Sequence, residues 1–195
     1  MLNLVNAVLA NSEILSPLSA MKEYVVAGNG LFVRAEDSRM EACVQIAEAT
    51  IRGLDEVRPF VRLKIPRVPG SYLRAILKSA RAHMPNEAMY QLTFDPSEGW
   101  HCHMPTQLAD GLSINYADES LAVIDLHSHN SMPAFFSETD NGDEQGFRFY
   151  CVIGKLDTAT PEIACRVGVY GHHCPVSVKT IFEGVYPFAE VVETK

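Results

Sequence analysis

The amino-acid sequence predicts an α+β protein, arranged as a mixed α/β sandwich. Apolar and basic residues alternate over residues 60–65, which is typical of a half-buried strand. Residues 71–83 carry apolar side chains at helical spacing, which predicts an amphipathic helix. Beyond residue 87, several predicted strands follow one another with one short helix between them. This order of strand, helix, strands, short helix and further strands favours the α+β class.

Residues 1–59 are predicted to form an N-terminal extension. Tyr24–Ala27 and Leu31–Ala35 flank a Gly-Asn-Gly sequence that tolerates positive φ, so a β-hairpin is expected there. A helix is predicted over Met40–Arg52, with Gly53 ending it, because apolar residues recur on one side. The segment contains no cluster with recognisable chemistry, and we interpret it as a packing or recognition extension.

Residues 60–195 are predicted to form a second domain. It opens with the strand at 60–65, after which Ser71 can cap the helix that runs to about His83. The Pro-Asn-Glu sequence ending at Glu87 stops that helix. A short helix is expected to start at Ser137, and the remaining predicted strands are Ala88–Phe94, His101–Met104, Leu112–Tyr116, Leu121–His127, Phe147–Gly154, Glu162–Tyr170 and Val185–Val192.

The composition excludes two classes of protein. A net charge of −8 argues against a nucleic-acid binder that neutralises phosphates. No apolar run approaches the roughly 20 residues needed to cross a bilayer, and Met1–Leu18 has no basic start typical of a signal peptide. Five cysteines are scattered without a Cys-x-x-Cys pair, so we expect reduced thiols in a cytoplasmic protein.

The run of residues 127–140 contains the candidate functional side chains. His127 and His129, at positions i and i+2, point the same way on an extended backbone. Asp140 follows eleven residues after the second histidine. Two nitrogens and one carboxylate oxygen are the ligands of a catalytic zinc that keeps a fourth position for water. The spacing therefore predicts one zinc ion in a hydrolase.

A hydrolase of this kind also needs a base that is not a metal ligand. Glu87 is the candidate, since it lies where the chain turns from a helix into a strand. Spacing alone does not exclude Glu98 or Glu119. Ser137 could donate a hydrogen bond to the oxyanion that develops during amide hydrolysis.

Other interpretations of these residues stay open. Ser137 and Asp140 have the spacing of a helix capping box, which is compatible with a ligand role because a cap would fix the aspartate. His101-Cys102-His103 and His172-His173-Cys174 are possible second metal sites, although neither has a carboxylate at a matching distance. Partly exposed loop or strand residues are the simpler interpretation of both.

The pattern His-x-His, seven residues, Ser-x-x-Asp at 127–140 resembles the signature of the JAMM (MPN+, Mov34/JAB) metalloproteases, and the resemblance extends over about residues 60–175. It implies a curved mixed sheet flanked by helices, one zinc, and hydrolysis of the amide bond at the C-terminus of a ubiquitin-like or sulfur-carrier protein. By this resemblance His127, His129 and Asp140 ligate zinc, Glu87 is the acid/base, and Ser137 steadies the tetrahedral intermediate. Asn130 and Ala88-Met89 depart from residues common in relatives, which concerns substrate choice more than chemistry.

The N-terminal extension before such a domain is similar to the arrangement in the bacterial PRTRC system protein A family. That resemblance implies E1-like and E2-like proteins as possible partners beside the ubiquitin-like substrate. Two other functions are kept as alternatives: a scaffold of the same fold that binds partner proteins without catalysis, and a zinc hydrolase that acts on small amides or peptides.

Overall fold

The computed structural model describes residues 4–11, 15–105, 121–184 and 188–191. Within these ranges the chain forms two mixed sheets and three helices, an α+β fold as predicted. No helix in the described part of the chain is long and apolar enough to span a membrane.

The first sheet has five strands in sequence order. They are β1 (Val5–Leu9), β2 (Lys22–Ala27), β3 (Gly30–Glu36), β4 (Met40–Glu48) and β5 (Phe60–Leu63). β1 pairs parallel with β2, and the other pairs are antiparallel. The predicted hairpin is confirmed as β2 and β3, and β1 was not predicted. At the turn, a Cβ on Gly30 would lie 2.3 Å from the Ala47 carbonyl oxygen, so only glycine fits.

The helix predicted over Met40–Arg52 is wrong, because β4 occupies most of that range. The spacing of apolar residues suggested a helix because both faces of this strand are covered by other residues. Met40, Ala42 and Val44 pack into the core between the sheets, while Cys43 packs into a second apolar cluster on the other face. Apolar residues on both faces remove the alternation that normally identifies a strand.

The second sheet has seven strands. The helices and strands of this half are α1 (Gly70–His83), β6 (Met89–Asp95), β7 (Gly99–His103), β8 (Ile124–Ser128), α2 (Glu138–Asp143), β9 (Phe147–Gly154), β10 (Glu162–Val169), β11 (His172–Pro175), α3 (Val178–Ile181) and β12 (Ala189–Val191). The strand order is β11-β10-β9-β8-β6-β7, with β12 also pairing with β10. β8 is parallel to β9 and antiparallel to β6.

Most predicted elements of this half are confirmed within a few residues. The strand predicted at Leu112–Tyr116 lies outside the described residues, as do residues 185–187 and 192 of the strand predicted at Val185–Val192, of which the structure describes β12. β11 and α3 were not predicted. The prediction that Ser71 caps α1 is wrong, because the helix begins at Gly70 after Pro69 and has no side-chain capping bond. The fixed φ of proline suits the residue that leads into a helix.

A shared core joins the two sheets. Leu73, Ile76 and Ala80 of α1 are buried in the same apolar cluster as Val33 and Met40 of the first sheet. The strand Phe60–Leu63, assigned from sequence to the second domain, pairs with β4 of the first sheet. The division of the chain at residue 59 stays a prediction.

Candidate metal centre

The two histidines are carried by the centre of the second sheet. β8 lies between β6 and β9, and His127 is in register with Met89 on one side and Val152 on the other. His129 follows the strand, and its backbone N–H donates to the Ile153 carbonyl at 2.8 Å. The Nε2 atoms of the two imidazoles are 3.1 Å apart. Main-chain pairing therefore brings the two nitrogens together.

The aspartate comes from the first turn of α2. Ser137 is the N-cap of this helix and forms a capping box with Asp140, as its spacing predicted. The Ser137 N–H and hydroxyl donate to Asp140 Oδ2 at 2.6 and 2.7 Å. The other oxygen, Oδ1, lies 3.5 Å from Nε2 of His127. The cap therefore holds one carboxylate oxygen and leaves the other facing the imidazoles.

The three ligand atoms lie close enough together to share one metal ion. They lie within 4.8 Å of one another. In a tetrahedral zinc site with metal–ligand bonds of roughly 2.0–2.1 Å, neighbouring ligand atoms are about 3.3 Å apart. The measured separations of 3.1 and 3.5 Å lie on either side of that value. Two imidazole nitrogens and one carboxylate oxygen thus fit this ion in number, type and distance.

The protonation states also suit a metal site. Burial lowers the pKa of His127 to about 4; the Asp140 carboxylate opposes this shift, and the positive charges of His129 and Arg166 add to it. Burial alone would raise the pKa of Asp140, but the hydrogen bonds from Ser137 outweigh it and lower that pKa below its usual value. A neutral imidazole and an ionised carboxylate are the forms that bind a cation.

Glu87 lies on a segment that is hydrogen-bonded to the histidine segment. The Ala88 N–H donates to Oγ of Ser128 at 2.9 Å, and the Ser128 N–H donates to the Ala88 carbonyl at 3.0 Å. On the other side, the Asn130 side-chain amide donates to the Pro85 carbonyl at 2.7 Å. Glu87 itself is exposed and does not belong to the group of three ligands. Its role as the base stays a prediction.

The alternative residues lie elsewhere. Glu98 is exposed in the turn between β6 and β7, with its carboxylate 3.3 Å from Nε2 of His101. Glu119 lies outside the described residues. His172 contacts the Tyr24 hydroxyl at 2.9 Å, and His173 Nε2 lies 2.8 Å from the Glu144 carbonyl oxygen. Among the residues that the structure describes, no second group of three metal-ligand side chains comes together.

Two neighbours of the site were not identified from the sequence. The Phe135 ring lies edge-on to His129, with the ring centres 4.8 Å apart, and is partly exposed beside the site. Arg166 is buried beneath α2 and pairs with Glu144. Arg166 is the one basic residue in the strand Glu162–Val169 and has apolar neighbours; this is the signal that could have identified it, because a buried arginine needs specific partners.

Residues 69–167, just over half of the chain, match the family described as prokaryotic homologs of the JAB domain. The protein therefore belongs to this family, a group of the JAMM/MPN type, as the motif at 127–140 had indicated. The match begins just before α1 and includes Glu87, both histidines, Ser137 and Asp140. JAB proteins include metalloproteases, which typically bind zinc. No curated protein matches the sequence.

Proposed function

We propose that the protein is a zinc-dependent isopeptidase or peptidase that hydrolyses the amide bond at the C-terminus of a ubiquitin-like or sulfur-carrier protein. The observation that carries the proposal is the cluster of His127, His129 and Asp140, with two nitrogens and one carboxylate oxygen at zinc-ligand spacing. Three protein ligands leave one position of a tetrahedral ion for water, which is the arrangement of catalytic rather than structural zinc.

Each side chain of the site has a task in this reaction. His127, His129 and Asp140 would hold the ion, which when bound acts as a Lewis acid on the scissile carbonyl and on a water molecule. Glu87 would take a proton from the attacking water and return it to the leaving amine. Its segment is hydrogen-bonded to residues 128 and 130, on either side of a ligand, which supports this choice.

Ser137 has two possible contributions. In the structure its hydroxyl donates to Asp140 Oδ2, so it orients the carboxylate. The oxyanion role expected from the family resemblance would require the same hydroxyl hydrogen to turn toward the substrate. We propose that the first task is performed in the resting protein and the second during the reaction.

The substrate and setting of the reaction are part of the proposal. The family resemblance supports a ubiquitin-like or sulfur-carrier tail as the substrate, with E1-like and E2-like proteins as partners of the same system. A cytoplasmic setting is part of the proposal and rests on the sequence, in which five scattered cysteines include no Cys-x-x-Cys pair.

The decisive experiment compares Glu87→Gln with the wild-type protein, both loaded with zinc. The substrate is a ubiquitin-like protein fused through its C-terminus to a reporter. We expect Glu87→Gln to abolish cleavage while zinc content, measured by elemental analysis, is unchanged, because the base is not a ligand. Glu98→Gln, which replaces another exposed glutamate of the same half, is the control and should cleave normally.

The outcomes separate the three functions. Cleavage that survives in Glu87→Gln and is lost in Glu98→Gln would assign the base to Glu98. A wild-type protein that binds no zinc would contradict the enzyme and favour the scaffold. A protein that cleaves small amides and no protein fusion would favour the small-amide hydrolase. The complete ligand set is the reason for preferring an enzyme to a scaffold.

A further inference from the structure

The helix that carries Asp140 cannot hold its own position. α2 is six residues long and none of its residues is buried. Its sequence, Glu-Thr-Asp-Asn-Gly-Asp, contains a glycine and several weak helix formers. Isolated helices much shorter than about 12 residues are unstable in water. Contacts from outside the helix must therefore determine where the Asp140 carboxylate lies.

Arg166 supplies contacts at both ends of this helix. Its Nε and Nη2 atoms donate to Glu144 Oε2 at 2.8 and 2.5 Å, and Glu144 is the C-cap of α2. Its Nη1 atom donates to Asn141 Oδ1 at 2.6 Å. The guanidinium carbon lies 3.9 Å from the centre of the Phe136 ring, immediately before the N-cap Ser137. One side chain thus contacts the residues that precede, form and end the helix.

Arg166 is itself held in a fixed place. It lies in β10, where it is in register with Tyr150 of β9 and Pro175 of β11, and it is 5 % exposed. A buried guanidinium is costly unless its donors are satisfied, and here Nε, Nη1 and Nη2 all donate to α2 or its cap. The central part of the sheet therefore provides a rigid reference for the helix.

Arg166 acts on the ligand set indirectly. In the part of the chain that the structure describes, its guanidinium donates to Glu144 and Asn141 and not to Asp140 or the imidazoles, so it acts on the site through α2. Arg166 therefore supports a residue that would bind the metal without binding the metal itself. Loss of such supporting contacts typically weakens metal binding.

From this geometry we infer that Arg166 is a positioning residue: it sets the affinity of the site for zinc by fixing α2, and with it Asp140, against the histidines of β8. The inference rests on the proposed zinc centre. It assigns no contact between Arg166 and the substrate or the reacting atoms.

The test measures the dissociation constant for zinc, by competition with a chromophoric chelator, in the full-length metal-free protein. Arg166→Met keeps the aliphatic stem and removes the donors and the charge. We expect it to weaken zinc binding by roughly ten- to a hundredfold. Arg166→Lys keeps the charge but cannot span Glu144 and Asn141 together, so its affinity should lie between those of Arg166→Met and the wild type.

Arg148→Met is the matched control. Arg148 lies on the neighbouring strand β9, has 12 % of its side chain exposed against 6 % for Arg166, and forms an ion pair with Asp125 of β8 at 2.9 Å. It should leave zinc affinity nearly unchanged, although it removes a buried guanidinium from the same sheet. Visible absorption of bound cobalt(II) is the second readout, because it reports ligand geometry and should change in Arg166→Met but not in the control.

Each outcome is decisive. Equal zinc affinities of the wild type and Arg166→Met would overturn the inference while leaving the zinc centre intact. Zinc binding without hydrolysis by the wild type would contradict the proposed function but not the inference, and a wild type that binds no zinc would overturn both. Should Arg166→Met fail to fold, Glu144→Ala and Asn141→Ala remove the same contacts from the helix side, and unchanged affinity in both would overturn the inference.

Discussion

The two regions that supply the ligands are built in different ways. β8 lies inside the sheet, with main-chain partners on β6 and β9; it carries His127, and His129 follows directly after the strand. α2 lies outside the sheet, has no buried residue, and presents one carboxylate. Backbone hydrogen bonds place the histidines, whereas side-chain contacts from Ser137 and Arg166 place the aspartate.

The two regions should therefore differ in how easily they are displaced. A strand paired on both sides moves only when the sheet opens, which requires a large part of the folding free energy. A short helix held by a cap and one guanidinium can shift when a single side chain is lost. Substitutions of side chains around β8 should therefore move the histidines little, whereas substitutions of side chains around α2 should move Asp140.

The largest effect should come from removing a strand-borne ligand. We expect His127→Ala to weaken zinc binding by roughly a hundredfold or more, since each ligand of a zinc site contributes about 3 kcal/mol. The measurement is chelator competition at neutral pH. His101→Ala, an imidazole on β7, is the control and should bind zinc normally. A similar loss in both variants would show that the ion lies elsewhere.

A smaller effect should follow removal of the metal itself. At zinc concentrations about a hundredfold above the dissociation constant, binding adds about 2.7 kcal/mol to the free energy of unfolding, so chelation should lower Tm by roughly 5–10 °C. Hydrogen exchange then distinguishes the two regions. Amides of α2 should exchange faster in the metal-free protein, and those of β8 should change little. Equal changes in both regions would contradict the comparison.

The smallest effect is expected for the helix cap. Ser137→Ala removes the capping bond and the hydroxyl's hydrogen bond to Asp140 Oδ2 but keeps the bond from the backbone N–H, so it should cost about 1 kcal/mol of stability and about tenfold in zinc affinity. Ser177→Ala is the control, because Ser177 caps α3 by accepting from the Lys179 N–H at 3.3 Å. It should lower stability by a similar amount and leave zinc affinity unchanged. If both variants bind zinc like the wild type, the cap does not position the ligand.

The same contrast explains what the sequence could predict of the site. Ser137 and Asp140 are close in sequence, so one motif predicted both the cap and the carboxylate, and a strand leading into the histidines was predicted over Leu121–His127. Arg166 is 22 residues from Glu144 and 25 from Asn141, and no short pattern relates residues so far apart. Support of this kind appears only once the fold has placed β10 beneath α2.

The fold was predictable where the local sequence pattern favoured a single kind of element. The stripe of α1 and the apolar run of β9 predicted their bounds closely. β4 was assigned as a helix because both of its faces pack against other residues. β11 was not predicted because its sequence, His-His-Cys-Pro, lacks the alternation and β-branched residues of a typical strand.

The core between the sheets has a consequence for any shorter form of the protein. The family match begins at residue 69, yet Val33, Met40 and Val44 are buried in the same cluster as α1 and the strands of the second sheet. Fully burying such a side chain is worth about 1.5–3 kcal/mol, and a whole domain is stable by only about 5–15 kcal/mol. A fragment cut at residue 69 would expose to water the apolar surface that these side chains cover. We expect such a fragment to aggregate before its zinc binding or hydrolysis could be measured.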